Sequence, residues 1–144
     1  TGGMAWISGD DIGYVKYATI TLTELWEAFE SLEFGSRLLI EKVGPTPQMG
    51  KVSAFTFGNV YGHVQAFATA SRLAWDYVTP RKWQKVFGLL SSGRTVGKGD
   101  TEKKRRNREA AQRLFPQVRV TNAIADALLI AEYCRRRESQ TVGA

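Results

Sequence analysis

The sequence predicts a single α/β domain over residues 1–144, in which a mixed sheet is flanked by helices. Short apolar runs alternate with longer segments of helical spacing, which is the pattern of strands that pack under helices. The first two runs are close together and predict a hairpin. Later runs are separated by helical segments, so we expect them to pair in parallel. With 43% hydrophobic residues, the chain has enough apolar side chains for one core.

The N-terminal half contains three predicted strands and two predicted helices. Residues 4–7 and 12–19 predict the two strands of the hairpin, and residues 8–11 predict its turn. Thr21 and Glu24 match a capping box at the start of a helix that we expect to end near Gly35. Residues 37–41 predict a buried strand, and a Gly/Pro loop follows over residues 44–50. A long helix is expected from Val52 to about Leu73.

Four small residues on this long helix recur every four positions and predict a ridge for close backbone packing: Gly58, Gly62, Ala66 and Ala70. We call this set the small-residue ridge.

The C-terminal half predicts one strand and three helices. Residues 75–78 form the strand, and Thr79-Pro80 predicts the start of a short helix through Phe87. A Gly/Ser loop covers residues 91–99. Asp100 is expected to cap a basic helix that runs to about Phe115, and Pro116 ends it. A last helix, capped by residue 121 or 122, is expected to end near residue 136, where an arginine run suits the helix dipole.

The positive charge is confined to one part of the sequence. The net charge of the chain is +6. Residues 80–119 contain twelve Lys/Arg and three Asp/Glu, whereas residues 1–79 contain five Lys/Arg and eight Asp/Glu. Residues 120–144 contain three basic and three acidic residues. We call residues 80–119 the basic block. A polyanion such as nucleic acid is its natural partner. The alternative is a solvated surface that favours solubility.

Two acidic residues stand out as candidate metal ligands. Glu41 ends a predicted buried strand before a loop, where α/β sheets place ligand sites; the alternative is a strand-end acid that pairs with a nearby lysine such as Lys42. Asp126 lies in an apolar helical run, and the alternative there is a favourable charge in an early helical turn. If they converge, both carboxylates suit Mg²⁺, which accepts oxygen ligands.

Other classes of protein find less support. No apolar run is long enough to span a bilayer, the N-terminal residues do not form a signal peptide, and the single cysteine, Cys134, suits a reducing cytoplasm. His63 has no nearby nucleophile motif, and nucleotide-binding fingerprints are absent. Phe57 is expected in the core. Phe55, beside the loop and Lys51, is a candidate for stacking on bases.

Five segments in order together resemble the RuvC family of Holliday junction resolvases, in particular its compact phage-like branch: residues 1–3, 39–43, 50–62, 78–83 and 125–133. The resemblance implies a ribonuclease H-like fold and a homodimer that cuts four-way DNA junctions symmetrically with Mg²⁺ or Mn²⁺. It also implies an acid on the first strand, a Glu after a central strand and two acids one turn apart on the last helix. Glu41 matches the central Glu, and Asp126 matches the second acid of the last helix.

The chain departs from the family pattern at two places. The first-strand acid would precede Thr1, so the resemblance implies a first strand truncated at its N-terminus. Ala123 stands where the other helix acid is expected, and Asn122 beside it would be a poor substitute. These departures suggest a fragment or an inactivated form.

The sequence thus predicts a cytoplasmic, structure-selective endonuclease. Because two acids of the family pattern are missing, we expect this chain to cut slowly or not at all. One alternative is a non-catalytic DNA-binding or scaffold domain of the same fold. The other is an RNA-cleaving ribonuclease H, and the junction-type loop and helix over residues 50–62 argue against this second alternative. Besides the metal ligands, the predicted DNA-binding residues are Lys51, Phe55, Arg81, Lys82, Lys85, Lys98, Lys103, Lys104 and Arg105.

Overall fold

The computed structural model describes residues 2–90 and 99–142. These residues form a compact α/β domain with four strands and five helices. In chain order the elements are β1 (Gly3–Ser8), β2 (Asp11–Lys16), α1 (Leu22–Glu30), β3 (Arg37–Glu41), α2 (Lys51–Ala70), β4 (Ala74–Val78), α3 (Pro80–Val86), α4 (Gly99–Leu114) and α5 (Asn122–Val142).

The predicted hairpin is confirmed. Strands β1 and β2 pair antiparallel, with Gly3 opposite Lys16 and Ser8 opposite Asp11. Gly9 turns the chain at a φ of 59°, a conformation that a residue without a Cβ atom adopts at little cost. The ring of Trp6 lies against Gly13, where an added Cβ would be 2.1 Å from the indole.

The predicted parallel pairing is also confirmed, but the strands do not form one mixed sheet. Strands β3 and β4 pair in parallel, with Arg37 opposite Ala74 and Glu41 opposite Val78, and α2 makes the crossover. In the described part of the chain, the hairpin and the β3–β4 pair are separate two-stranded sheets. The local sequence pattern predicted each pair of strands. Whether two such pairs join into one sheet depends on contacts between distant parts of the chain.

Two helical layers cover both sheets. On one side, α3, α4 and α5 form a core that Ala5 and Ile7 of β1 and Leu39 of β3 contact. On the other side, α1 and α2 form a second core, to which Met4 of β1 and Ile40 of β3 contribute. Because alternate residues of β1 and β3 enter the same two cores, the two sheets lie in one layer between the helices.

Several element boundaries differ from the sequence-based expectation. Helix α1 ends at Glu30, before Gly35, and α4 already contains Asp100, which therefore does not precede it as a cap. Helix α5 continues past the arginine run to Val142. Both Arg135 and Arg136 bond to Glu132 at 2.6–2.9 Å, so the like charges are partly neutralised within the helix.

The small-residue ridge does not pack closely within the chain. All four of its residues are exposed, and a Cβ atom on Gly58 or Gly62 would meet nothing within 4 Å. The ridge is therefore open surface on the described protomer.

Within residues 2–90 and 99–142, no helix is long and apolar enough to cross a membrane.

Candidate metal and nucleic-acid site

Glu41 lies at the last position of β3, half-buried, where the parallel pair β3–β4 ends. Its Oε1 accepts a hydrogen bond of 3.0 Å from Nε1 of Trp83, which is fully buried on α3. The hydroxyl of Tyr61 on α2 donates to the backbone oxygen of Glu41 at 2.9 Å. Glu41 makes no ion pair with Lys42, but the charge of another lysine, Lys103, lowers the pKa of the Glu41 carboxyl. The strand end and its carboxylate are thus fixed from two helices.

Asp126 lies in the first two turns of α5, where its side chain meets α4. Its Oδ1 accepts a hydrogen bond of 2.9 Å from Nδ2 of Asn107, which is only 3% exposed. Asn107 is on the buried face of α4, which continues through Ala111 to Phe115 in the core. Close packing of α4 on α5 therefore sets the position of Asp126.

The structure brings Glu41 and Asp126 into electrostatic range of each other, and we call them the acid pair. Burial is the largest cause acting on the Glu41 carboxyl, and it raises the pKa. The hydrogen bond from Trp83 lowers this pKa, the negative charge of Asp126 raises it, and the positive charge of Lys103 lowers it. Burial also raises the pKa of Asp126, against the Asn107 hydrogen bond and the charges of Lys103 and Lys104. A cation at this place would relieve the cost of ionising both carboxyls.

Lys103 is the member of the basic block whose charge lowers the pKa of both acids. It lies one turn before Asn107 on α4, on the same helix face, so α4 brings a cation and an amide to the acid pair together. An ammonium group there attracts a phosphate and also weakens the hold on a metal ion.

The acid pair supplies oxygen donors of the kind that a hard cation binds, but it does not make a closed metal cage. Among the described residues, no group of three or more His, Cys, Asp or Glu side chains is arranged to hold a metal ion. The acid pair offers two carboxylates, and the buried Oδ1 of Asn107 has no hydrogen-bond partner within the described part of the chain. Mg²⁺ or Mn²⁺ held by two carboxylates retains water and leaves positions for substrate phosphate.

The predicted DNA-binding residues lie on three helices. On α3, Arg81, Lys82 and Lys85 are exposed on the face opposite Trp83. Lys51 and Phe55 are exposed in the first turns of α2, just after the loop that leaves Glu41, and Phe55 is 76% exposed.

The remaining predicted contacts come from the basic block beyond α3. Lys104 and Arg105 are exposed on α4, and Arg105 pairs with Glu102 at 2.7 Å, so this ion pair must open before Arg105 contacts phosphate. Lys98 lies outside the described residues.

Ala123 lies in the first turn of α5, three residues before Asp126, and is half-buried. Its backbone oxygen is beside Gly3 at the start of β1. Three residues are just under one helical turn, so the position shares a face with Asp126 but supplies no ligand.

Sequence reasoning missed Trp83 and Asn107. A tryptophan in a short amphipathic helix, such as Trp83, is normally predicted to be a core residue. An asparagine among lysines and arginines, such as Asn107, is normally predicted to be exposed to solvent. The available signal for Asn107 was its spacing of four from Lys103 and from Ala111, which places it on the face that enters the core.

No protein-family model matches the chain, and no curated protein shows significant sequence similarity to it.

Proposed function

We propose that this chain is the core of a structure-selective endonuclease that binds four-way DNA junctions and cleaves them symmetrically by metal-dependent phosphodiester hydrolysis. The observation that carries the proposal is that Glu41 at the end of β3 and Asp126 on α5 lie in electrostatic range of each other, and that the charge of Lys103 in the basic block acts on both. Two carboxylates next to a basic surface combine a cation site with a phosphate-binding surface.

The separate sheets support a ribonuclease H-like fold with one further strand. In the described chain, β1 and β3 each pair on one edge only, although both lie between the same helical layers. We propose that a strand preceding Thr1 and carrying the first-strand acid pairs with these edges and completes a mixed sheet. The first turn of α5, with Ala123, lies beside the start of β1, where such a strand would connect.

Each part of the site has a role in this proposal. Glu41 and Asp126 would hold Mg²⁺ or Mn²⁺, which activates water and stabilises the leaving oxygen in phosphodiester hydrolysis. The cations of α3 and α4 would contact phosphates on the arms of the junction. Phe55, exposed next to Lys51, would stack on bases near the branch point, where pairing is interrupted.

The proposed assembly is a homodimer, because two sites related by a two-fold axis match the two symmetric positions of a four-way junction. Sedimentation of the chain, free and with junction DNA, tests this proposal. A dimer at micromolar concentration is expected in at least one of the two samples, and monomers in both would overturn the assembly.

A non-catalytic junction-binding domain is the second candidate. It is favoured by Ala123 and by the presence of only two carboxylates at the site in the described chain. Both candidates bind branched DNA through the same surface, and they differ in whether the acid pair belongs to a hydrolytic centre.

Binding and cleavage assays separate these candidates. This chain is expected to bind a labelled four-way junction at least about tenfold more tightly than a linear duplex of the same sequence, and to cut it slowly or not at all. Equal affinity for both DNAs would overturn the proposal. In a chain with Ala123→Asp and an added Asp-containing first strand, symmetric cutting with Mg²⁺ or Mn²⁺ would support the endonuclease. Binding without cutting would assign the non-catalytic domain.

A further inference from the structure

Each carboxylate of the acid pair is held by one neutral donor and keeps one oxygen open. Trp83 Nε1 bonds to Oε1 of Glu41 at 3.0 Å, and Asn107 Nδ2 bonds to Oδ1 of Asp126 at 2.9 Å. Among the described residues, neither Oε2 of Glu41 nor Oδ2 of Asp126 accepts a hydrogen bond. An indole and an amide orient a carboxylate without cancelling its charge, so the open oxygens remain strong ligands.

A third acid on α5 shows the contrasting arrangement. Glu132, which is 7% exposed, has both oxygens occupied by the guanidinium groups of Arg135 and Arg136. The hydrogen bond from Arg135 is the largest of the causes that lower the pKa of Glu132. Two positive charges satisfy this carboxylate completely and leave no site for a cation. Helix α5 thus carries two kinds of acid: Glu132, whose oxygens are both bonded to arginines, and Asp126, six residues earlier, which keeps one oxygen without a hydrogen bond among the described residues.

The donors themselves are held rigidly. Trp83 is fully buried in the core with Val78 and Leu128, and Asn107 lies in the interface of α4 and α5. A donor anchored in the core restricts the rotamers of the carboxylate that it contacts, which lowers the entropy lost when the carboxylate binds a ligand.

Asn107 has a second feature that points to a ligand. Its Oδ1 is buried and has no hydrogen-bond partner among the described residues. Leaving a buried acceptor unsatisfied costs about 1–3 kcal/mol, and this acceptor belongs to the same amide that contacts Asp126. Water in the hydration shell of a cation is a strong donor, and Mg²⁺ retains such water when it binds to proteins.

We propose that Trp83 and Asn107 are positioning residues that orient Glu41 and Asp126 toward a divalent cation, and that Oδ1 of Asn107 accepts a hydrogen bond from the hydration shell of this cation. The inference rests on the metal site of the proposed function. It assigns roles to two residues that do not themselves bind the metal.

The first experiment uses the unmodified chain and NMR of side-chain N–H groups. Paramagnetic Mn²⁺ is expected to broaden the indole signal of Trp83 at lower concentration than those of Trp6, Trp26 and Trp75. Diamagnetic Mg²⁺ is expected to shift the Trp83 indole and Asn107 amide signals with one apparent Kd. Absence of any Mn²⁺ effect at Trp83 would overturn the positioning roles and the metal site of this chain, whereas the junction-binding and cleavage assays test the proposed endonuclease separately. A metal effect at Trp83 without a shift at Asn107 would overturn only the role of Asn107.

The second experiment separates positioning from stability. Asn107→Leu, similar in volume but without a donor or acceptor, is expected to weaken Mn²⁺ binding at least about tenfold, within the range of outer-shell substitutions. Gln112→Leu is the matched control, because Gln112 lies on the same helix and makes three hydrogen bonds to backbone groups of residues 115–120. This control is expected to lower the denaturant midpoint and keep the Mn²⁺ affinity.

A tryptophan pair repeats the comparison at Glu41. Trp83→Phe removes the indole donor and is expected to weaken Mn²⁺ binding, whereas Trp26→Phe, in the other core, is expected to leave it unchanged. If Mn²⁺ binds the unmodified chain and Asn107→Leu and Trp83→Phe bind it equally well, the positioning roles are wrong and the metal site stands. If either variant fails to fold, the shifts measured on the unmodified chain decide.

Discussion

The first turn of α5 packs directly on the start of β1: a Cβ atom on Gly3 would lie 3.0 Å from the backbone oxygen of Ala123 and 2.6 Å from that of Val15. The hairpin and the helix that carries Asp126 therefore meet without space for a side chain. Gly3 makes this approach possible, and the position three residues before Asp126 is fixed by it.

Replacing Ala123 with Asp is expected to strengthen Mn²⁺ binding by about tenfold or more, because a third carboxylate adds charge and an oxygen ligand on the face of Asp126. Calorimetric titration with Mn²⁺ measures the change. Ser139→Asp is the matched control, since it adds the same charge at an exposed position of α5 more than three turns from Asp126. Equal gains in both variants would show a general charge effect and contradict a site at Ala123 and Asp126.

Replacing Glu41 with Gln is expected to reduce Mn²⁺ binding at least about tenfold and to preserve the fold and the affinity for junction DNA. The amide oxygen of Gln can still accept the Trp83 hydrogen bond, so the change removes charge without opening a cavity. Glu27→Gln, at an exposed position on α1, controls for the loss of one negative charge. An unchanged Mn²⁺ affinity in Glu41→Gln would remove Glu41 from the site.

Neutralising Lys103, Lys104 and Arg105 with Gln is expected to weaken junction binding and flatten its salt dependence. Each phosphate contact that is lost lowers the slope of log K against log salt by about 0.9, and the ion pair of Arg105 with Glu102 reduces the share of Arg105. Titrations at several salt concentrations measure the slope. A control with Lys16→Gln and Arg72→Gln, outside the basic block, should leave it unchanged. The same slope in both variants would contradict the assignment of this surface.

The acid pair is expected to make the free energy of unfolding depend on pH. Burial raises the pKa of Glu41 and of Asp126, so their contribution to stability is fully present below the ordinary carboxylate pKa of about 4 and is lost as the pH rises through the raised values. Asp126→Asn is therefore expected to be more stable than the unmodified chain at neutral pH and equally stable at low pH. Denaturant unfolding at several pH values measures this difference, and a variant that is less stable at neutral pH would contradict it.

Two glycines are expected to respond to alanine in opposite directions. At Gly13 the added Cβ meets the ring of Trp6 at 2.1 Å, so Gly13→Ala is expected to destabilise the chain by about 1–3 kcal/mol. At Gly58, exposed on α2 with open space around it, Gly58→Ala is expected to stabilise the helix by up to about 1 kcal/mol. Thermal unfolding measures both. A destabilising Gly58→Ala would show that the small-residue ridge packs against something in solution, such as a second protomer.

The elements that the sequence predicted best are those whose signals are local. Strand β3 has the predicted bounds because an apolar run ends at a charged residue before a Gly/Pro loop. The capping box of Thr21 and Glu24 is present with both of its hydrogen bonds. In contrast, α5 continues past the arginine run, where the sequence predicted its end because cations suit the C-terminal end of a helix dipole. Two of these arginines instead pair with Glu132 within the helix.

The same distinction holds for the candidate site. Glu41 and Asp126 were identifiable because a charge in apolar surroundings is costly and therefore conspicuous. Their donors were not, because Trp83 lies 42 positions from Glu41 and Asn107 lies 19 positions from Asp126. Such pairings are set by how α3 and α4 pack, and no local pattern encodes that packing.

Helix α5 contacts β1, β2 and β3, and no backbone ladder joins the two sheets in the described chain. Helix α5 is thus one of two connections between the hairpin and the β3–β4 pair, beside the core of α1 and α2, and its second turn carries Asp126. Opening of this helix end would remove one support of the hairpin and displace the carboxylate in a single event. A cation on the acid pair should therefore slow amide hydrogen exchange in the hairpin, although the hairpin supplies no ligand, and the affinity of the cation site would be limited by how often that helix end opens.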